Sequence, residues 1–492
     1  MTRGRARLWQ VAALAIALGA ALRLWFIAHI FTLTGDTLLY GDIAQSWLQH
    51  GIYGFAQAEG DPLPTLIRLP GYPLFLMLCF RIFGPAHFHA VVYLQCLIDL
   101  LACLVLAALV RRIFGNRSAL VALFLAALCP FTASYVAVPL TESLTCASIV
   151  LAFYALERWR EAATSSRNPL DRKISCPPWH PWNHWLWILS AALAYSILLR
   201  PDQGLLAAAV LPAMLWPGRS NAPVAEGSTS TLVPKTSRFH QAIPILVTAL
   251  LTLLPLVPWT IRNARTFHVF QPLAPRSATD PGEPVPTGFY RWYRTWGVDF
   301  SSTEDIYWNY DGAALEIADL PSRAFDSPAQ RQQTRSVLEV YNLTRKPSPE
   351  LDVHFSHLAE DRIQAHSARY FIGLPVARLV NMLFRPRTEL LPSALDWWRF
   401  HEHPGETVFA LAYATLNLAY FALGGLGLYR WTRRPHHPAK PLAWSMLAFL
   451  VLRCALLLTL DNSEPRYTLE FFPILITGAA ALFVSKPPPL SS

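Results

Sequence analysis

The chain is short of charge. Asp, Glu, Lys and Arg make up only 15% of its 492 residues, against 53% hydrophobic side chains and a mean hydropathy of +0.29. That balance excludes an ordinary soluble domain and calls for a polytopic membrane protein. Cysteine is sparse and unpatterned: Cys79, Cys96, Cys103, Cys129, Cys146, Cys176 and Cys454 are odd in number and form no CxxC pair. No zinc or disulfide framework is indicated. Phosphate-cradling glycine loops are missing as well, since neither GxxxxGK[ST] nor GxGxxG after a strand occurs. The net charge of +9 does not point to nucleic acid, because the basic residues sit in short loops between apolar runs rather than on a stripe with interleaved aromatics.

What the chain has instead is long apolar runs. A spanning helix needs roughly 20 residues at 1.5 Å rise each. Runs fall at about 8–31, 88–110, 118–137, 141–157, 183–200, 203–217, 241–260, 405–429, 441–460 and 467–485. About ten transmembrane helices are expected, the fifth and sixth short enough to form a re-entrant pair. The first run is too long for a signal h-region and ends in no small-residue cleavage site, so it reads as an uncleaved helix with a cytoplasmic N-terminus.

Charge gives an independent test of sidedness. Arg111, Arg112 and Arg117 flank one turn, and Arg158, Arg160, Arg167, Arg172 and Lys173 fill the next inside loop. Arg219, Lys235 and Arg238 mark another, and Arg430, Arg433, Arg434 and Lys440 the last. Both termini are then cytoplasmic. The opposite side receives two long loops, about 32–87 and 261–404, dividing the chain into a core over 1–260, a large outer loop over 261–404 and C-terminal helices over 405–492. Tyr72 to Phe83 and Tyr370 to Phe384 are expected as helices along the outer interface. The stretch 218–238 reads as a linker.

The outer turns carry the polar motifs. Gly35-Asp36-Thr37-Leu38-Leu39-Tyr40-Gly41-Asp42 follows the first helix, with Asp36 and Tyr40 on one helical face. Asp36 there is either an N-cap or a general base for an acceptor hydroxyl or amine. Arg68-Leu69-Pro70-Gly71-Tyr72-Pro73 sets a cation before a turn that opens an apolar helix, a combination that suits phosphate. Thr141-Glu142-Ser143, Arg200-Pro201-Asp202, Pro258-Trp259-Thr260-Ile261-Arg262-Asn263 and Glu464-Pro465-Arg466-Tyr467 fall on the same side. Together they predict one polar site at the lipid-water boundary. Inside a run, Gln95 and Asp99 lie one turn apart, either as a functional acid or as a helix-helix bond, and Arg453 in the ninth run is placed to pair with such an acid or reach outward.

These motifs, in this order, resemble the GT-C class of membrane glycosyltransferases, in the family-39-like and RgtA/B/C/D-like branch close to protein O-mannosyltransferases and lipid A aminoarabinose transferases. The resemblance implies an all-α polytopic bundle and transfer of a sugar from a polyprenyl-phosphate donor to an extracytoplasmic lipid, glycan or protein, with inversion at the anomeric carbon. It implies Asp36 as base and Arg68, then Arg466, then Arg262, as cations for the donor phosphate. Tyr40, Asp42, Tyr72, Glu142, Arg200 and Tyr467 complete the expected substrate-binding set. Where protein mannosyltransferases carry an Asp-Glu pair, this chain has Asp36-Thr37, so a role for the second acid does not carry over. No metal ligands are assigned, since no His-rich or multi-carboxylate cluster with ligand spacing appears, and a divalent cation is left open. The expected partners are a lipid-linked sugar, membrane lipids and an unidentified acceptor, in a bacterial cytoplasmic membrane. The alternatives are an O-antigen polymerase or ligase using a diphosphate donor, and a transporter or flippase, which would show an internal repeat with broken helices at midplane depth.

Overall fold

The computed structural model describes residues 3–165, 184–215, 238–435 and 437–484. Cys176, Arg167, Arg172, Lys173, Arg219, Lys235 and nearly all of the 218–238 stretch lie outside them. The chain forms two compact units, one of Met1–Asp280, Tyr420–Leu450 and Glu470–Ser492, the other of Pro281–Ala419 and Val451–Leu469.

Nearly all of the described structure is helical. In chain order the first unit opens with α1 (Arg3–Ile30), α2 (Gly35–His50), a hairpin of β1 (Gly54–Phe55) and β2 (Leu63–Pro64), then α3 (Gly71–Phe83), α4 (Phe88–Phe114), α5 (Asn116–Ala127) and α6 (Pro130–Tyr135). It continues through α7 (Glu142–Ser165), α8 (His184–Leu199), α9 (Gly204–Ala213), α10 (Arg238–Leu253) and α11 (Leu256–Phe267). The second unit contains α12 (Thr287–Arg294), α13 (Phe300–Ser302), α14 (Pro328–Thr344), α15 (Pro349–Ala365) and α16 (Leu374–Phe384). Two long helices, α17 (Pro404–Arg433) and α18 (Lys440–Leu457), follow, and α19 (Phe472–Ala480) closes the chain.

Among the described residues, five segments are long and apolar enough to cross a membrane: Ala6–Ile30, Phe88–Phe114, Ala242–Phe267, Pro404–Arg433 and Lys440–Leu457. The other apolar runs also fold as helices, but shorter or more polar ones. The run at 118–137 breaks at Cys129, where Pro130 cannot continue the hydrogen-bond ladder and starts α6 instead. Helix α7 is 24 residues long, yet it carries Glu142 at one end and Glu157, Arg158, Arg160 and Glu161 toward the other. Glu142 and Arg160 are thus about 27 Å apart along the axis, close to the thickness of a hydrocarbon layer. At the basic end Arg112 grips Glu161, Nη2 to Oε2 at 2.7 Å, and Arg160 donates to the Pro438 carbonyl at 3.0 Å. Among the described residues, the basic turns around Arg112, Arg160 and Pro438 thus meet at one end of this unit.

One ion pair lies deep between α1 and α4. Arg23, fully buried, donates to Asp99 Oδ2 (Nε, 2.7 Å) and to the carbonyls of Gly19 (2.9 Å) and Ala127 (2.7 Å). Asp99 is thus a helix-helix partner, the structural one of its two readings. Arg453 donates through Nε and Nη2 to the Tyr467 carbonyl, at 3.3 and 3.1 Å.

The second unit has an aromatic core in which Phe289 stacks on Tyr310 (3.7 Å between centroids) and meets Phe355 edge-on. Asp352 of α15 accepts from the Gly288 and Phe289 amides at 2.8 and 3.0 Å, satisfying the first turn of α12. Gly288 is required there, since a Cβ would stand 2.0 Å from the Asp352 carbonyl oxygen.

Candidate active site

The site is built around the start of α2. Thr34 is its N-cap, in a box where the Thr34 hydroxyl accepts from the Thr37 amide and the Thr37 hydroxyl accepts from the Thr34 amide. Asp36 is therefore not spent on capping. Its carboxylate projects from the first turn, where the helix dipole favours an anion, and Oδ1 accepts from Arg68 Nη2 at 2.8 Å. Thr37, standing where the related pattern has Glu, also donates to the Pro139 carbonyl at 3.2 Å and so ties α2 to the segment that carries Glu142.

A second strut holds that segment. Tyr72 is fully buried, its hydroxyl donates to Gln95 Oε1 (2.8 Å), and the Gln95 amide donates to the carbonyls of Val136 (3.3 Å) and Val138 (3.0 Å). Tyr72 meets Tyr40 edge-on at 5.1 Å, so it supports the site from beneath.

The Pro70-Gly71-Tyr72-Pro73 turn brings α3 against the end of α8. A Cβ on Gly71 would stand 2.5 Å from the Leu198 carbonyl carbon and oxygen, so only glycine allows this approach, immediately before Arg200. Arg200 then reaches Glu142 (Nη1 to Oε1, 3.2 Å), Asp202 (3.4 Å) and Glu470 (3.6 Å). Gln203 Nε2 fixes the other Glu470 oxygen at 2.6 Å. The residues that the motifs single out at 36, 40, 68, 72, 142 and 200 are thus brought together. The charges acting on the Tyr40 phenol are those of Arg68, Asp36, Glu142 and Arg200, while burial, the dominant cause, pushes it up to about 12. Tyr40 stays a hydrogen-bond donor at any physiological pH, with the Arg68 guanidinium 5.7 Å from its ring centre.

Other expected residues are placed differently. Arg262 clamps the hairpin, donating through Nη1 to the Thr65 carbonyl and through Nη2 to that of Tyr53, each at 2.7 Å. Tyr53 in turn donates to the Arg68 carbonyl at 3.0 Å, so Arg262 steadies the turn bearing Arg68 from one residue away. Asp42 accepts from the Ala56 amide at 3.1 Å and fastens the same hairpin. In the second unit Arg466 pairs with Glu464 and lies 5.8 Å from the Tyr467 ring centre.

Sequence reasoning missed Gln203 and Glu470, both almost fully buried. The signal was available: an acid within the last apolar run is a functional candidate by default. Among the described residues no group of three or more His, Cys, Asp or Glu converges as a metal ion would require.

The family model described as dolichyl-phosphate-mannose-protein mannosyltransferase matches residues 64–167, which include Arg68, Tyr72 and Glu142. No curated protein matches the chain. The solved structure of the oligosaccharyltransferase AglB from Archaeoglobus fulgidus, in complex with an inhibitory peptide and a dolichol-phosphate, superposes with a TM-score of 0.50 at 13% identity over 98% of this chain. The chain spans 50% of the length of that enzyme. ArnT from Cupriavidus metallidurans bound to undecaprenyl phosphate matches at 14% identity and a TM-score of 0.35, over 98% of this chain and 78% of its own. In fold, the chain is a helical multi-pass membrane protein similar to the oligosaccharyltransferase AglB.

Proposed function

We propose that this chain transfers a sugar from a polyprenyl-phosphate-linked donor to an acceptor on the extracytoplasmic face of a bacterial cytoplasmic membrane, with both termini inside. The observation that carries this reading is the Asp36–Arg68 pair at 2.8 Å, partly open to solvent, beside a Tyr40 phenol on which Glu142 and Arg200 also act. One carboxylate to take a proton and one guanidinium to hold a phosphate are what the displacement needs.

In this reading Arg68 binds the donor phosphate, and Asp36 accepts the proton of the acceptor hydroxyl as its oxygen attacks the anomeric carbon. The bond from that carbon to the phosphate oxygen breaks, its electron pair stays on the phosphate, and the configuration inverts. Tyr40, still protonated, donates to a phosphate or sugar oxygen. Glu142 and Arg200, paired at 3.2 Å, supply the further charges that act on Tyr40. The matched model for dolichyl-phosphate-mannose enzymes and the undecaprenyl phosphate bound by ArnT support a monophosphate carrier. Hexosyl or pentosyl specificity is assigned to neither.

The test is incorporation of radiolabelled sugar into membranes containing the chain, from a panel of synthetic undecaprenyl-phosphate and undecaprenyl-diphosphate sugars. The reading expects transfer from a monophosphate donor. Transfer from diphosphate donors alone would move the chain to the polymerase or ligase class.

A further inference from the structure

Three arginines of the first unit face the candidate site or its hairpin, and their partners differ in kind. Both terminal nitrogens of Arg262 are committed to backbone carbonyls, which cannot leave without unfolding the hairpin. Arg200, its side chain 15% exposed, is set among Glu142 at 5%, Glu470 at 2% and Asp202 at 20%. Losing Arg200 to a ligand would draw a guanidinium away from two nearly buried carboxylates, which is costly. Arg68 and Asp36 are 21% and 24% exposed and meet side chain to side chain at 2.8 Å, so that the partner Arg68 would give up is a carboxylate itself partly open to water. Water reaches both members of that pair and weakens it relative to the Arg200 cluster.

We infer that the donor phosphate binds by exchange: it displaces the Asp36 carboxylate from Arg68, so that loading the donor is the event that frees the base. The inference rests on the proposed reading of the site as a polyprenyl-phosphate transferase. The donor's phosphodiester presents two terminal oxygens that meet the guanidinium fork in two parallel bonds, which favours the exchange. Asp36 then has an anion where it had a cation, and both changes make its carboxylate a stronger base. The displaced group need not leave the site, because the first turn of α2, held by the Thr34–Thr37 box, keeps it at a helix N-terminus. Before the donor arrives, the Asp36 carboxylate is engaged by Arg68. Asp36 therefore has two opposed effects: it speeds transfer and weakens donor binding.

The test uses the full-length protein in lipid nanodiscs, with undecaprenyl phosphate as the probe and affinity measured for wild type, Asp36→Asn, Arg68→Ala and the double variant, each shown by gel filtration and thermal melting to be folded. Asp36→Asn is expected to bind undecaprenyl phosphate about fivefold more tightly, as for loss of a competing, partly solvated ion pair. Arg68→Ala is expected to lose binding, and in that background Asp36→Asn is expected to add nothing, a coupling that a merely structural Asp36 would not produce. Unchanged or weaker binding by Asp36→Asn, with wild type binding normally, overturns the exchange and leaves the transferase reading intact. No binding by folded wild type overturns the donor reading and the exchange with it.

Discussion

Gly71 shows how much of the site depends on a missing methyl group. Its hydrogen faces the Leu198 carbonyl, where a Cβ would be 2.5 Å from both carbon and oxygen, so Gly71→Ala must push α3 away from the residue before Leu199 and Arg200. The expected cost is about 1–3 kcal/mol of stability, typical of overpacking, with transfer reduced further because Arg200 moves. Gly35→Ala, which meets nothing within 4 Å, is the control and should melt like wild type. Thermal melting of both variants in the same detergent checks this. The pairing of residues distant in sequence was legible where a polar group stood beside a helix start, as Asp36 and Arg68 do. It was not legible where function depends on what a side chain is already bound to. Arg262 and Asp42 look like site residues by their neighbours in sequence, and only the fold shows their bonds going to the hairpin backbone.

At the level of elements, α1 and α4 are joined by the Arg23–Asp99 pair, buried on both sides. Removing one member leaves an uncompensated charge, so Asp99→Leu is expected to cost about 3–5 kcal/mol, whereas the double variant Arg23→Leu with Asp99→Leu should recover most of that loss. Denaturant or thermal unfolding of the three variants measures it. An equal loss in the single and double variants would show that the carbonyl bonds of Arg23, to Gly19 and Ala127, carry the helix contact instead. Hydropathy located the apolar helices but not their lengths, and it left the polar helices α14 and α15 unassigned. It merged α5 with α6 across Cys129, because a window of apolar residues registers neither the missing amide of Pro130 nor the break it causes. It also passed over Glu470, whose charge is diluted by the run around it.

For the whole molecule, the positive-inside pattern and the polar motifs predicted opposite ends, and within the first unit α7 joins them: Glu142 at one end, Arg160 at the other. Cysteine-accessibility labelling checks the membrane sidedness, on a background with the native cysteines replaced. Glu59→Cys in the hairpin is expected to label from outside and Arg117→Cys from inside, both positions being exposed. Labelling of both from one side would contradict a bundle with its candidate site on the outer surface. The fold class was legible because composition and run length leave a membrane bundle few alternatives. Sugar and acceptor were not, because specificity depends on the shape of long loops that carry no periodic pattern.

The central claim is that Asp36 is the base of a sugar transfer from a polyprenyl monophosphate. The measurement that tests it most directly is incorporation of labelled sugar from synthetic undecaprenyl-phosphate donors by purified wild type and by Asp36→Asn, side by side. The account predicts incorporation by wild type and a loss of at least about a hundredfold in the variant, the lower range for removing a general base, with its fold intact. Turnover at the wild-type rate in Asp36→Asn would contradict it.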